Sequence, residues 1–278
     1  MMNKGLIAID MDGTLLQREF TIKDKDLAAL KKAHDQGYMI AICTGRGAAV
    51  IIKHMTALRL DDIADVLIGS NGSQYYDVKD KEIEDLGWIT KECMVEGLRL
   101  CGDEKFGFSW YTGDVLYSNK NNHRLEIMAK QMAADTVVYE DEELIENLPE
   151  RWPKAIFFLK EERQRYLKDY IEKHKTQPFD LVFSENLFME MIPQGINKGT
   201  ALDEVCKRNN IDHKDVMAIG DGENDIQMLQ KSGFAVAMGN AVAVMKENAD
   251  YVTADIENCG VAEAIEKYLE IRNEGATL

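Results

Sequence analysis

The residues best suited to chemistry in this chain are carboxylates that follow short apolar runs. Leu6-Ile7-Ala8-Ile9 leads directly into Asp10-Met11-Asp12-Gly13-Thr14. An apolar run of this length reads as a buried strand, and in an open α/β sheet ligands bind at the carboxyl ends of strands. Side chains alternate along extended backbone, but Gly13 permits an immediate turn that brings Asp10 and Asp12 toward one pocket. Such a pair suits nucleophilic attack by one carboxylate and proton transfer by the other. The same residues would otherwise form a strand-to-loop turn whose aspartates cap backbone amides.

Gly220-Asp221-Gly222-Glu223-Asn224-Asp225 repeats the arrangement after the apolar run Val216–Ile219. By itself it also fits a glycine-rich turn with a helix N-cap. Asp10, Asp12, Asp221 and Asp225 converging on one pocket would raise one another's pKa values and repel, which calls for a multivalent cation. Oxygen donors suit magnesium, which keeps several waters and accepts a phosphate oxygen, whereas the five histidines show no zinc spacing.

Two further stretches suit an anion. Thr44-Gly45-Arg46 follows the run Tyr38–Cys43 and opens a helix, where a hydroxyl and free backbone amides can hold phosphate oxygens, or simply cap the helix. Lys198, in Asn197-Lys198-Gly199, opens another helix at the end where the macrodipole disfavours a cation. An anion beside it would explain its position, although most lysines are solvated surface groups.

The elements that must position these groups read as βαβαβ: strand Leu6–Asp10, a helix over about 23–36, strand Tyr38–Cys43, a helix over about 47–58 and strand Val66–Gly69. Thr21 to Asp24 resembles a capping box with aspartate for glutamate, which marks the first helix start. From about Ile83 to Glu185 aromatic clusters and antiparallel-looking strands take over, as in Phe106–Thr112 and Val115–Asn119 joined through Gly113-Asp114. The α/β pattern resumes with the helix from Lys198, strand Val216–Gly220, a helix after Asp221 and strand Phe234–Ala237. The expected division is therefore a discontinuous first domain, 1–82 with 187–278, and an inserted α/β domain, 83–186.

With 33 basic and 49 acidic residues among 278, the net charge of −16 repels nucleic acid and anionic membrane at long range. An anionic substrate must be gathered locally, by backbone amides, a few cations and a metal. Five cysteines without CxxC spacing suit a reducing compartment, and no apolar run approaches membrane-spanning length, so the reading is a cytoplasmic protein.

Taken in order, DMDGT, TGR, the lysine after the insertion and GDGEND resemble the four motifs of the haloacid dehalogenase superfamily. Ser70-Asn71-Gly72 and Ala237-Met238-Gly239-Asn240-Ala241 extend the resemblance to the Cof-like subfamily with a C2-type α/β cap. The resemblance implies a Rossmann-like core with a parallel sheet covered by helices on both faces. It implies magnesium-dependent hydrolysis of small phosphate monoesters through a phospho-aspartyl intermediate, with Asp10 as nucleophile and Asp12 as proton shuttle. Asp10, the Asp12 main-chain carbonyl and Asp221 would hold magnesium, with Asp225 orienting them. Met11, Thr44, Gly45, Lys198 and Asn224 would contact the phosphoryl group, and Arg46 and Asn71 the rest of the substrate. Trp110 and Tyr111 are candidate substrate contacts, although aromatics in such strands more often form a core. Sugar phosphates, flavin mononucleotide and pyridoxal phosphate are typical substrates of similar proteins. A phosphosugar mutase shares these motifs, and a phospho-accepting switch shares the strand-end aspartates without needing Asp12.

Overall fold

The computed structural model describes residues 4–274 except 102–106, 113–114, 120–122, 133, 140, 159–165, 167–177 and 185–187. The chain divides into two compact units, Met1–Glu84 with Asn197–Leu278, and Asp85–Ile196.

The first unit carries β1 (Gly5–Asp10), α1 (Asp24–Asp35), β2 (Tyr38–Cys43), α2 (Ala48–His54), β3 (Val66–Gly69), β4 (Gln74–Asp77) and β5 (Glu82–Asp85). In the inserted unit follow β6 (Ile89–Thr90), α3 (Lys91–Cys101), β7 (Gly107–Thr112), β8 (Val115–Ser118), α4 (His123–Met132), β9 (Asp135–Val138), α5 (Asp141–Asn147), β10 (Arg151–Trp152), β11 (Ala155–Phe158), β12 (Phe179–Ser184) and β13 (Phe188–Pro193). The chain returns to the first unit with α6 (Lys198–Asn209), β14 (Val216–Gly220), α7 (Ile226–Gln230), β15 (Phe234–Ala237), α8 (Ala243–Glu247), β16 (Tyr251–Val252) and α9 (Gly260–Asn273).

Eight strands form the main sheet in the order β16-β15-β14-β1-β2-β3-β4-β5. From β16 to β3 every pairing is parallel, and β4 turns back antiparallel on β3. Helices on a parallel sheet remove both faces from water, which is why β1, β3 and β14 are buried along their whole length. β1 lies between β14 and β2, with Asp10 opposite Cys43 and Ile9 opposite Ile219. The loops after β1, β2 and β14 therefore leave from one edge of the sheet, side by side.

Three expectations shift. No capping box forms at the first helix: α1 starts at Asp24, its N-cap is Lys23 without a side-chain cap bond, and Asp24 pairs with Arg59 instead at 2.7 Å. α2 ends at His54 because the next turn tightens, Met55 N–H donating to Ile52 C=O, before Arg59 turns left-handed at φ 60°. β13, expected in the first domain, pairs antiparallel with both β11 and β12, so the boundary falls after Ile196 rather than at 186/187.

The inserted unit has a six-stranded sheet, β12-β13-β11-β7-β8-β9, and a two-stranded pair, β10-β6. Its sheet is mixed, since β9 runs parallel to β8. The turn expected at Gly113-Asp114 lies outside the described residues. Trp110 is 1% exposed and stacks on Phe108 at 5.4 Å and on its cross-strand partner Tyr117 at 5.2 Å. It belongs to this unit's core with Met94, Trp152, Phe157 and Met191, the place aromatics in such strands more often take. The Tyr111 side chain lies outside the described residues.

Candidate active site

Asp10 closes β1 at the centre of the sheet and is 4% exposed. The chain then turns sharply: Met11 C=O accepts from Thr14, Leu15 and Leu16 N–H at 3.3, 3.0 and 2.7 Å. Gly13 makes this turn at φ 84°, and a Cβ there would lie 2.4 Å from Asp221 Oδ2. Only glycine lets the loop after β1 close on the loop after β14.

Lys198 opens α6 and is fully buried. The Asn197 side chain caps the helix by accepting from Gly199 and Thr200 N–H, which points the first turn into the site. Lys198 Nζ donates to Asp10 Oδ1 and Asp225 Oδ1, each at 2.5 Å. These are the anions that its unfavourable helix position required. The other Asp225 oxygen accepts from Asp221 and Gly222 N–H, both at 3.1 Å. Asp225 is thus fully engaged, as a strut for the lysine and for the loop after β14.

Asp10 Oδ2 is buried without a hydrogen-bond partner among the described residues. Ligand oxygens of Asp10, Asp221 and Asp225 lie within 4.8 Å of one another. Burial, then Asp225 and Asp221, outweigh Lys198 and hold the Asp10 carboxyl well above the ordinary carboxylate range. Burial, followed by Asp225, pushes Asp221 up to about 6. On Lys198 burial acts downward, but Asp10 and Asp225 overcome it and keep the ammonium charged. Three carboxylates around one ammonium leave excess negative charge out of water. A hard dication fits that excess and the orphaned Asp10 oxygen, as an all-oxygen donor set suits magnesium. Asp12 contributes no side-chain oxygen to the group: Arg46 holds both its oxygens, Nε to Oδ2 at 2.8 Å and Nη2 to Oδ1 at 2.7 Å. Its expected metal contact was the main-chain carbonyl.

Thr44, 1% exposed, follows β2, and its Oγ1 accepts from Arg46 N–H at 3.1 Å. That bond leaves the hydroxyl proton for an anion. Arg46, expected on the substrate, spends its guanidinium on Asp12 and on the Phe20 ring, 5.1 Å from the centroid. Asn224 Nδ2 donates to Asn71 Oδ1 at 3.1 Å, so Asn71 also meets a site residue.

Two contributors were not singled out from sequence. Thr14 Oγ1 donates to Asp221 Oδ1 at 3.2 Å, and its signal was its place in DMDGT. Asn240 Nδ2 donates to Gly13 C=O at 2.8 Å and Asp221 Oδ2 at 3.3 Å, while its Oδ1 accepts from Ile256 N–H at 2.9 Å. Asp221 is therefore steered at both oxygens, and the only hint of Asn240 was its position in AMGNA.

A parallel sheet that gathers carboxylates, a buried ammonium and the Thr44 hydroxyl at one edge is the arrangement of an α/β phosphohydrolase. The chain belongs to the haloacid dehalogenase-like hydrolase family, whose model matches residues 7–265. A 5-amino-6-(5-phospho-D-ribitylamino)uracil phosphatase of Bacillus subtilis (strain 168) is 32% identical over 95% of both chains. A phosphoglycolate phosphatase of Methanobrevibacter smithii is 28% identical over 96% of this chain and 100% of its own. Among solved structures, the subclass IIB sugar phosphatase BT4131 superposes with a TM-score of 0.81 at 26% identity, covering 95% of this chain and 98% of its own. The chain is a phosphatase. No helix among the described residues is long and apolar enough to cross a membrane.

Proposed function

We propose that the protein hydrolyses phosphate monoesters of small metabolites with magnesium, through a phospho-aspartyl intermediate on Asp10. The observation that carries this reading is the divided state of Asp10: one oxygen on the Lys198 ammonium, the other buried without a partner beside Asp221. Asp10, Asp221 and the Asp12 carbonyl would hold the ion, with Asp225 bracing them. Bound there, magnesium supplies charge neutralisation for the phosphoryl oxygens.

Asp10 forms a bond to phosphorus as the ester P–O bond breaks, and Asp12, which must first give up an Arg46 bond and take up a proton, delivers that proton to the departing alkoxide. Asp12, now ionised, takes a proton from water, which attacks phosphorus and frees Asp10. Lys198 and the Thr44 hydroxyl hold phosphoryl oxygens, and the ammonium offsets the charge that builds there. We read the inserted unit as a C2-type cap that selects the leaving group. The acidic net charge and free Cys43, Cys93, Cys206 and Cys259 suit a cytoplasmic enzyme acting on small solutes. Sugar phosphates, flavin mononucleotide and pyridoxal phosphate are the substrates to try first, with glycolate-type and pyrimidine phosphates added from the named relatives. Phosphate release from this panel with magnesium, abolished by chelator, is the expected result. Isomerisation of a hexose 1-phosphate without release would instead show a mutase.

Asp12→Asn tests the shuttle. It should slow hydrolysis of sugar phosphates by roughly 10²- to 10⁴-fold, and of an aryl phosphate much less, because a good leaving group needs little proton assistance. Equal losses on both would remove Asp12 as the acid.

The Asp221 shift predicts a pH signature without metal. Its folded value of about 6 lies above its ordinary 3.8, so its stabilising contribution is complete below 3.8 and is lost as pH rises through about 6. The melting temperature of the metal-free protein should fall between pH 5 and 7.5. Magnesium should raise it more at pH 7.5 than at pH 5.5, since protons compete for the same oxygen. A magnesium effect independent of pH would argue that the ion binds elsewhere.

A further inference from the structure

Three successive residues after β3 have positive φ: Ser70 at 53°, Asn71 at 56° and Gly72 at 108°. Glycine adopts this region freely and asparagine tolerates it, but serine followed by asparagine there is strained backbone. Both non-glycine residues are buried, at 0% and 2% exposure, so the turn is no loose surface loop. Strain of this kind persists where surrounding bonds over-determine it, and those bonds lead to the site.

Ser70 N–H donates to Arg46 C=O at 2.8 Å and Asn71 N–H to Thr44 C=O at 3.0 Å, which fastens the turn along the Thr44–Arg46 loop. Ser70 Oγ donates to Gln74 Oε1 at 2.9 Å, and that oxygen also accepts from Ala48 N–H at 3.1 Å, at the start of α2. Gly72 presses on the Lys198 helix, since a Cβ there would lie 2.3 Å from Asn197 O. The Asn71 side chain faces the remaining loop: its Oδ1 accepts from Asn224 Nδ2 at 3.1 Å and lies 3.2 Å from where a Gly45 Cβ would sit.

We propose that Asn71 is a positioning residue, held in a strained left-handed turn so that its side chain locks the Asn224 loop to the Thr44–Gly45 loop. This rests on the phosphatase reading above and departs from the expectation that Asn71 touches the variable part of the substrate. Asn71 acts at the phosphoryl end, which every substrate shares. Its loss should therefore cost the same factor on each substrate, and on inorganic phosphate itself.

Asn71→Gly separates side chain from backbone, because glycine keeps the positive φ without strain. The variant should melt no lower than the parent, while kcat/KM falls about tenfold on every substrate and the inhibition constant of inorganic phosphate, with magnesium, rises about tenfold. Asn224→Ala, which also removes a phosphoryl contact, should lose at least as much, and the double variant should be no worse than Asn224→Ala alone, since Asn71 acts through Asn224. Additive losses would overturn the proposal, as would unchanged kinetics in Asn71→Gly. A loss confined to some substrates, with the phosphate inhibition constant unmoved, would restore Asn71 to the substrate side. If the parent protein neither releases phosphate from any ester nor binds inorganic phosphate with magnesium, the phosphatase reading fails first and the proposal with it.

Discussion

Asp10→Asn should abolish turnover and at the same time raise the melting temperature of the metal-free protein. The amide keeps the shape of the carboxylate but cannot serve as nucleophile, so the loss should reach roughly four orders of magnitude or more. Stability moves the other way because the Asp10 carboxyl is held well above its ordinary range by burial, Asp225 and Asp221. A group whose folded pKa is raised destabilises the fold at neutral pH, where the unfolded chain carries it ionised. Asparagine removes that charge at every pH, so the gain should be present at pH 7.5 and vanish toward pH 4. Magnesium should protect the variant less than the parent, since one of its oxygens is gone. Steady-state assays paired with melting curves at the two pH values measure both effects. Retained turnover would exclude covalent catalysis by Asp10. A lower melting temperature at pH 7.5 would mean that its bond to Lys198 outweighs the repulsion from its neighbours.

Opposite signs for activity and stability are what a site built from crowded charge should give, and the crowding was readable in the sequence. DMDGT and GDGEND each follow an apolar run, and runs such as LIAID and VMAIG become buried parallel strands because hydrophobicity on both faces suits only that environment. Strand ends adjoining at one sheet edge then bring Asp10, Asp221 and Asp225 together. What stayed hidden was set by contacts between residues far apart in sequence. Arg46 and Asp12 are 34 residues apart and Asn240 is 227 from Gly13, and no local pattern announces either pairing. The first helix lost its capping box for the same reason, because Asp24 found Arg59, 35 residues away. Aromatic strands convey the inserted unit's composition but not its pairing, so nothing local joins β13 to that unit, where it pairs with β11 and β12. The left-handed run is signalled only in part, by Asn71 and Gly72, since serine, where it begins, favours no such geometry.

Lys198→Met gives the second large effect, and it separates two roles that one ammonium performs. The methionine chain fills a similar slot without charge, leaving Asp10 Oδ1 and Asp225 Oδ1 facing each other across a buried gap. Removing one partner of a buried ion pair costs about 3–5 kcal/mol, because the remaining charge is stranded out of water. In the metal-free protein at pH 7.5 the melting temperature should drop accordingly. Much of the loss should return as pH falls toward 4, since Asp10, already held high and now without its nearest cation, gives up its charge first. Turnover should fall by about 10³-fold or more even where magnesium restores the fold, because the buried ammonium that shares the phosphoryl charge with the ion is gone. Lys198→Arg should rescue little, as a guanidinium is too broad and rigid for a fully enclosed position that a single Nζ now fills. If Lys198→Met melts like the parent yet does not turn over, the lysine serves phosphate alone and the carboxylates compensate one another by sharing a proton. If instead it loses stability and keeps its rate, the ammonium is a structural counterion and the charge on phosphorus must be met at Thr44, Asn224 and the backbone amides of their loops.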